Sequence, residues 1–344
     1  MSKYWDINYI LPFNRCFNFI NGERSIGKSY TTQKFIIKRA LERGQEFVYI
    51  VRTQDEKKKK ILETAFEKVT QKVFGNIDFN YSTEEMWQEY ENEDGLKEHK
   101  TLGYCIALTE YIKIKKRSFP NVKYIMFDEY MLEENQVISY VNGWNEPDLF
   151  LSIYHTIDRE SDRVICFLLG NNTSFYNPYH MHKAFNIPHI NKGQIWHSEN
   201  VLFQWATSTA ELKKEKAKSK FVKMIESTKY GDFSVNGQYV DDNTEFVEKR
   251  PANTLHNFSF SDNNETYGVW CSKEKGKIYV SDKYDPSCKL NFAFNLNDHK
   301  ENTLLTKDKN NTLLKWFAKN FKMGNVKFET MEIKKKTEEA IMLI

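Results

Sequence analysis

A short stretch near the start of the 344-residue chain combines the residue types that bind phosphate. It consists of Gly22, Glu23, Arg24, Ser25, Ile26, Gly27, Lys28 and Ser29, followed by Tyr30, and fits the spacing G-x-x-x-x-G-K-[ST]. Glycines let main-chain N–H groups converge on a phosphate, while the lysine reaches the β- and γ-phosphates and the serine hydroxyl ligates Mg²⁺. We predict that residues 22–30 bind ATP, with Lys28 in a catalytic role and Ser29 on the metal.

Two adjacent acids follow a second apolar run, at residues 122–127. Asp128 would hold Mg²⁺ through water, and Glu129 would polarise the water that attacks the γ-phosphate. An isolated Asp-Glu pair is commonly a solvated strand end, but the phosphate-binding pattern upstream favours the catalytic interpretation. An acid directly after the metal-site aspartate indicates hydrolysis rather than phosphotransfer to a small molecule.

Four further residues are candidates for contacts with the γ-phosphate. Arg24 lies inside the loop and either touches the phosphate, touches a neighbouring subunit, or is merely exposed. Arg159 and Arg163 precede the apolar run 164–169, where either could enter a neighbour's site as an arginine finger or lie on the surface. Asn171 follows that run and could sense the γ-phosphate or form a turn.

Basic runs and histidines give weaker signals. Lysine runs are candidate contacts to a nucleic-acid backbone, although such runs are usually solvated faces. The lysines concerned are Lys57, Lys58, Lys59, Lys60, Lys115 and Lys116. His180 and His182 lie two apart in a loop, and we predict that both are surface residues. No histidine spacing indicates a metal site.

The order of apolar runs predicts an α/β fold with a mainly parallel sheet. Strands are expected near residues 17–20, 47–51, 103–108, 122–127 and 164–169, with helices over 29–43 and 55–74. The pattern becomes lysine-rich after residue 208 and strand-rich after residue 231. We therefore predict an ATPase domain at 1–207, a basic linker or helical subdomain at 208–231, and a smaller α+β domain at 232–344.

Composition narrows the class of protein without identifying a partner. Apolar residues make up 40% and charged residues 28% of the chain, which is typical of a folded globular protein, and the net charge is only +3. Five cysteines without metal spacing suit a reducing cytosol. No apolar run is long enough to span a bilayer, so we expect no membrane partner.

With these motifs in place, the chain resembles the DNA-packaging ATPases, or encapsidation proteins, of phi-twenty-nine-like tailed phages. In the first half the resemblance rests on residues 22–30, 44–52, 120–129 and 177–179, and in the second half on 246–250, 268–270 and 285–287. The phosphate-loop pattern occurs in many families, whereas the second-half segments are specific to this one.

The resemblance implies an additional-strand P-loop ATPase that uses ATP and Mg²⁺ to drive double-stranded DNA into an empty capsid. It implies a pentameric ring of identical subunits, docked through a packaging RNA on the portal, in the host cytoplasm and absent from the mature virion. The family's trans-acting arginine falls on Arg159, and its second basic position on Arg163. The alternatives are a helicase or other ring ATPase, a terminase-like motor with an active nuclease, and an RNA-binding scaffold without turnover.

For the C-terminal domain the resemblance implies a degenerate ribonuclease-H-like fold. A nuclease of this type needs about three carboxylates around two metal ions. The candidate acids are Asp232, Asp262, Asp282 and Asp285, of which Asp282, after the apolar strand 278–280, is the best single candidate but lacks an evident partner. We therefore predict a vestigial domain that binds nucleic acid without cutting it.

Overall fold

A computed structural model describes residues 3–131, 146–235, 237, 239, 244–262, 264–306 and 311–342. The chain divides into two units, Met1–Asp241 and Asp242–Ile344, which we call the first and second units. Each unit is built around its own clusters of buried apolar side chains. None of the described helices is long and apolar enough to cross a bilayer.

The first unit contains strands and helices in alternation. Its strands are β1 (Phe17–Gly22), β2 (Glu46–Val51), β3 (Phe79–Tyr81), β4 (Glu85–Glu91), β5 (Lys97–Ala107), β6 (Val122–Asp128), β7 (Ile165–Gly170), β8 (Ile195–His197) and β9 (Val201–Ala206). Its helices are α1 (Lys28–Arg43), α2 (Lys59–Phe74), α3 (Tyr111–Ile114), α4 (Glu146–Asp158), α5 (Pro178–Met181), α6 (Ala210–Lys216), α7 (Lys220–Ile225) and α8 (Lys229–Ser234).

These strands form one sheet in the order β3-β4-β5-β2-β6-β7-β1-β9-β8. The six strands from β5 to β9 in this order are parallel, and β3, β4 and β8 add antiparallel edges. The parallel strands are apolar along most of their length because helices cover both faces. Buried residues of α1 and α2 pack on one face, and those of α4 pack on the other. The predicted mainly parallel α/β fold is confirmed.

Strand β7 lies between β1 and β6. Leu168 is the register partner of both Phe19 in β1 and Phe127 in β6. This inserted strand is the arrangement that the additional-strand class predicts. Because all three strands are parallel, their carboxyl ends meet at the same edge of the sheet, and the loops that follow them can build one site.

The second unit is an α+β unit with a six-stranded mixed sheet. Its elements are β10 (Leu255–Asp262), β11 (Glu265–Ser272), β12 (Lys277–Ser281), β13 (Asn291–Ala293), β14 (Leu304–Leu305), α9 (Thr312–Lys322), β15 (Val326–Phe328) and α10 (Met331–Met342). The sheet order is β14-β13-β10-β11-β12-β15, with an antiparallel β10-β11-β12 meander and parallel outer strands. Lys275 and Gly276 lie in the turn between β11 and β12.

The lysine-rich segment folds differently from the prediction of a linker or separate subdomain. Its three short helices α6, α7 and α8 belong to the first unit, which extends to Asp241. Leu212 and Ile225 are buried and give these helices an apolar anchor. The division into two units therefore falls later in the chain than the predicted domain start at residue 232.

Candidate nucleotide site

The phosphate-binding pattern forms the connection between β1 and α1. Strand β1 ends at Gly22, and α1 begins at Lys28 with Gly27 as its N-cap. Ser25 and Gly27 have φ angles of 61° and 96°, in the left-handed region. A Cβ atom on Gly22 would lie 2.6 Å from the carbonyl oxygen of Ala206, so only glycine fits beside β9. The loop thus has the left-handed turns and leads into the helix N-terminus that phosphate binding requires.

Lys28 is buried and bonded to its own loop. Its Nζ donates to the carbonyl oxygens of Gly22 at 3.0 Å and Glu23 at 2.9 Å. Burial lowers the pKa of Lys28 to about 8, although the Asp128 carboxylate nearby acts in the opposite direction. The amine is therefore at the centre of the loop, where it can exchange main-chain carbonyls for phosphate oxygens.

Ser29 and Asp128 form the pair of oxygen ligands expected for a metal. The Ser29 side chain lies beside the Asp128 carboxylate at the carboxyl end of β6. Burial raises the pKa of Asp128 to about 6, the charge of Glu129 adds to this, and the Ser29 hydroxyl opposes it. Mg²⁺ typically takes one or two protein oxygens together with waters and substrate phosphates, so this donor pair fits it. Within the described ranges, no cluster of three or more His, Cys, Asp or Glu could hold a metal.

Glu129 occupies an unusual backbone conformation directly after β6. Its φ is 56°, in the left-handed region, and its side chain is exposed beside the loop edge of the sheet. Its N–H donates to Oδ1 of Asp128 at 3.1 Å. The two side chains therefore have different surroundings. Asp128 lies beside Ser29, whereas Glu129 is exposed to water.

Arg52 holds that backbone in place, and sequence reasoning gave it no role in the site. Its Nη1 donates to the carbonyl oxygen of Glu129 at 2.7 Å, and its Nη2 to that of Tyr130 at 2.6 Å. Its Nε pairs with Glu146 at 3.1 Å, and its guanidinium lies 5.0 Å from the ring centroid of Phe127. Arg52 directly follows the apolar strand β2, as Asp128 ends β6. A charged residue at the carboxyl end of a parallel strand was the available signal.

The prediction that His180 lies at the surface is wrong. His180 is buried, with Nδ1 2.8 Å from the carbonyl oxygen of Phe175 and Nε2 2.7 Å from the hydroxyl of Tyr130. The Tyr130 hydroxyl also lies 2.7 Å from Oδ1 of Asn21, the residue before the phosphate loop. Burial lowers the pKa of His180 to about 3, so the ring is neutral. His182 is half-buried and lies 3.1 Å from Asp148.

Two asparagines follow β7, at the same edge of the sheet as the loop. Asn171, the predicted γ-phosphate sensor, is half-buried, and its carbonyl oxygen accepts from the N–H of Thr173 at 3.0 Å. Asn172 is buried, and its Nδ2 donates to the carbonyl oxygen of Gly237 at 2.7 Å. Asn171 is thus the more accessible of the two.

The two candidate finger arginines have different surroundings. Arg163 is half-buried and donates to the carbonyl oxygens of Val122, Phe119 (2.8 Å) and Ile157 (2.5 Å), which fixes it inside its own subunit. Arg159 is exposed, with φ 52° and a 3.3 Å bond to the carbonyl oxygen of Arg117. Arg163 does not fit a role in a neighbour's site, whereas Arg159 remains a candidate.

Arg159 is also separated from the loop of its own subunit. It precedes β7 at the amino edge of the parallel sheet, and the phosphate loop is at the carboxyl edge. The six residues of β7 span about 20 Å between these edges. Arg24, by contrast, lies within the loop and is half-buried, with Nη1 3.4 Å from the Tyr230 hydroxyl.

The predicted nucleic-acid lysines fall into two groups. Lys57 is buried and paired with Glu110 at 2.6 Å, so it does not belong to the set of backbone contacts. The remaining five are exposed and follow the carboxyl ends of the neighbouring strands β2 and β5. They are Lys58, Lys59, Lys60, Lys115 and Lys116.

Two candidate nuclease acids of the second unit, Asp285 and Asp262, are engaged in local structure, whereas Asp282 is exposed directly after β12. Asp285 accepts from the N–H and hydroxyl of Ser287 at 2.9 and 2.7 Å. Asp262 accepts from Nδ2 of Asn295 at 3.2 Å. These are turn and strand-end interactions of the kind that polar surface residues make.

Comparison with known proteins identifies the family of the chain. The family model described as podovirus DNA encapsidation protein (Gp16) matches residues 1–342. The chain belongs to this DNA encapsidation family. Its relatives include the DNA packaging protein of Bacillus phage phi29, which is 30% identical over 335 residues, covering 97% of this chain and 95% of the relative. The DNA packaging protein of Bacillus phage B103 is 30% identical over 321 residues, covering 93% of this chain and 94% of that protein.

A solved structure of an encapsidation protein supports the fold as well. A chain of the bacteriophage phi-29 viral genome packaging motor assembly superposes with a TM-score of 0.75 and 29% identity, covering 98% of both chains. The resemblance inferred from the sequence motifs is confirmed. Both units of this encapsidation family member therefore have counterparts in that assembly.

Proposed function

We propose that this chain is an ATP-hydrolysing motor that translocates double-stranded viral DNA into a preformed capsid. The observation that carries the proposal is the Ser29–Asp128 pair beside buried Lys28 in a phosphate loop, within a chain whose relatives are DNA packaging proteins. The solved assembly that this chain resembles is a viral genome packaging motor.

Each residue of the site has a defined task in this proposal. Lys28 releases the carbonyls of Gly22 and Glu23 and binds phosphate oxygens instead. Ser29 and Asp128 hold Mg²⁺, which neutralises phosphate charge when bound. The Glu129 carboxylate accepts the proton of the attacking water, and Arg52 keeps the Glu129 main chain fixed during that transfer.

The remaining site residues support a ring of identical subunits. Arg159 lies at the amino edge of the sheet, where it can stabilise charge only in another subunit's site. We assign Asn171 to sensing the γ-phosphate from the end of β7. The packaging RNA and the portal are the proposed docking partners, the ring is a pentamer, and the motor works on the procapsid in the host cytoplasm.

DNA contact is assigned to exposed lysines and to the second unit. Lys58, Lys59, Lys60, Lys115 and Lys116 contact the phosphate backbone, which makes binding salt-dependent and indifferent to sequence. The second unit binds nucleic acid as a vestigial nuclease domain without cutting it. We treat residues 1–207, 208–231 and 232–344 as the functional divisions, although the helices of the middle segment fold with the first unit.

The test is ATP-dependent packaging by the purified full chain. Empty capsids, packaging RNA and double-stranded DNA are mixed with ATP, and DNA that becomes resistant to added nuclease is measured. The wild-type chain should protect DNA, whereas Lys28→Ala should fail to bind ATP and Glu129→Gln should bind ATP with turnover reduced about 10²- to 10⁴-fold. Unwinding of a forked duplex without protection would favour the helicase alternative. Metal-dependent cutting that is lost in Asp282→Ala would favour the nuclease alternative.

A further inference from the structure

The phosphate loop contains a buried negative charge of its own. The Glu23 side chain is fully buried, and its carboxylate is bonded by the Ser208 hydroxyl. Two lysines flank it, with Lys192 Nζ 3.4 Å from Oε1 and Lys216 Nζ 3.6 Å from Oε2. A carboxylate in an anion-binding loop repels phosphate unless it is neutralised, and the low local dielectric strengthens that repulsion.

Lys216 contacts the loop main chain as well as the Glu23 carboxylate. Its Nζ donates to the carbonyl oxygen of Arg24 at 2.7 Å and to Ser208 Oγ at 3.2 Å. Its side chain is 15% exposed, while Lys213 and Lys214 on the same helix α6 are exposed. One lysine of this basic helix is thus turned inward onto the phosphate loop.

Helix α6 is fixed firmly enough for this contact. The Thr209 side chain caps the helix by accepting from the N–H of Leu212, and it donates to the carbonyl oxygen of Lys3 at 2.9 Å. Leu212 is buried in the core cluster that includes α1. The position of Lys216 is therefore set by the packing and capping of α6 as well as by its contacts with the phosphate loop.

Two lysines donate to the loop main chain, and they divide three of its carbonyl oxygens between them. Lys28 binds those of Gly22 and Glu23, and Lys216 binds that of Arg24. An ammonium group has three N–H donors, and Lys28 uses two of them on main-chain carbonyls, so it must give up at least one carbonyl when it binds both the β- and γ-phosphates. Lys216 is not part of the phosphate-binding pattern, so it can keep its contacts in both states.

We propose that Lys216 is a positioning residue for the phosphate loop, acting through Glu23 and the Arg24 main chain to keep the loop receptive to phosphate after Lys28 turns to the nucleotide. The inference rests on the proposed ATP-binding function. It assigns a nucleotide-site role to the lysine-rich segment, which otherwise has the composition of a solvated helix.

The test compares ATP affinity, KM and kcat of full-length variants. Lys216→Met should weaken ATP binding about 10- to 100-fold, which corresponds to removal of a charged hydrogen bond. Lys216→Arg should retain most of the affinity, because it keeps the positive charge. Glu23→Gln added to Lys216→Met should recover part of the affinity, because the unneutralised carboxylate is gone. Lys214→Met, on the exposed side of the same helix, is the matched control and should match wild type.

Hydrogen exchange of residues 22–27 without nucleotide separates this inference from the proposed function. Lys216→Met should speed exchange there, with the unfolding midpoint unchanged relative to Lys214→Met. If wild type neither binds nor hydrolyses ATP but the exchange effect is present, the proposed function fails and the positioning role stands. If wild type hydrolyses ATP and Lys216→Met matches Lys214→Met in affinity and exchange, or if Glu23→Gln recovers nothing, the positioning role is overturned.

Discussion

Nη1 of Arg52, at the end of β2, donates to the main-chain oxygen of Glu129, just beyond the neighbouring strand β6, at 2.7 Å. A second bond from the same guanidinium reaches the carbonyl oxygen of Tyr130. The left-handed φ of Glu129 is thus held by a side chain from another strand. The direction in which the Glu129 side chain leaves the backbone therefore depends on the planar guanidinium group of Arg52.

Replacing Arg52 by lysine should therefore impair turnover more than binding. Lysine keeps the charge beside Glu146 but cannot bond two carbonyls and a carboxylate in one plane. We expect Arg52→Lys to lower kcat by about 10- to 100-fold, as a misplaced catalytic group does, with ATP affinity within about threefold of wild type. Steady-state hydrolysis and equilibrium ATP binding measure the two quantities. Arg43→Lys, at the exposed end of α1, is the control, and equal effects of both variants would contradict the assignment.

Alanine substitutions of Arg159 and Arg163 should cause defects in different assays. Arg163→Ala leaves the carbonyls of Phe119, Val122 and Ile157 without their donor and should lower the free energy of unfolding by about 2–4 kcal/mol. Arg159→Ala should leave unfolding unchanged but stop hydrolysis by the assembled ring. Urea denaturation and DNA-stimulated ATPase activity measure these effects.

Mixed rings provide the sharper test of Arg159. A subunit with Arg159→Ala retains Glu129, and a subunit with Glu129→Gln retains Arg159, so their mixture can form complete sites at some interfaces. We expect partial recovery of hydrolysis over a range of mixing ratios. Absence of recovery at every ratio would remove the trans role from Arg159.

Lysines 57 to 60 should separate into one structural and three DNA-binding residues. Alanine at Lys58, Lys59 and Lys60 together should weaken duplex binding and reduce the slope of log affinity against log salt by about 0.9 for each DNA phosphate that the variant no longer neutralises. Lys57→Ala should instead destabilise the first unit, because Glu110 loses its buried partner. Binding titrations at several salt concentrations and urea denaturation measure the two outcomes. A DNA-binding defect in Lys57→Ala with unchanged stability would contradict this division.

Burial of His180 predicts a decrease of stability in mild acid. The pKa of His180 is about 3 in the folded state, below the ordinary 6.5. Between these two pH values the unfolded chain binds a proton at His180 that the folded chain does not bind. The folded state should lose about 2 kcal/mol between pH 7 and pH 5 from this group, and the decrease continues as the pH falls toward 3. Urea denaturation at both pH values should show that His180→Gln lacks this part of the pH dependence. His99→Gln, on the exposed β4–β5 hairpin, should keep it.

The loop and its acids were predictable because they are local patterns. Residues 22–29 and the Asp128–Glu129 pair each occupy a few consecutive positions after an apolar run, and parallel strands bring such ends together. The additional strand was implied by the family resemblance and not by a local pattern. The Arg52 contacts could not be predicted from a local pattern, because Arg52 and Glu129 are 77 residues apart in the chain.

Errors arose where neighbours in sequence have different partners in space. Lys57 and Lys58 are adjacent and chemically identical. Only Lys57 is buried, where it pairs with Glu110, 53 residues away in the chain. Arg163 and Arg159 were both candidate arginine fingers because both precede the apolar run 164–169. Carbonyl oxygens from two other segments hold the Arg163 side chain inside its own subunit. His180 has a polar sequence context, and only packing against Phe175 and Tyr130 makes it part of the core.

The insertion of β7 between β1 and β6 has a consequence for symmetry. Each subunit carries its phosphate loop at one edge of the sheet and Arg159 at the other. Two copies related by a two-fold axis present identical surfaces to each other, whereas an arginine-to-loop contact joins two different surfaces and is heterologous. Assembly through this contact is therefore head-to-tail, with every subunit in the same orientation relative to the next. In the proposed ring, an open row of subunits would keep one incomplete site at one end, and closure would supply the missing arginine.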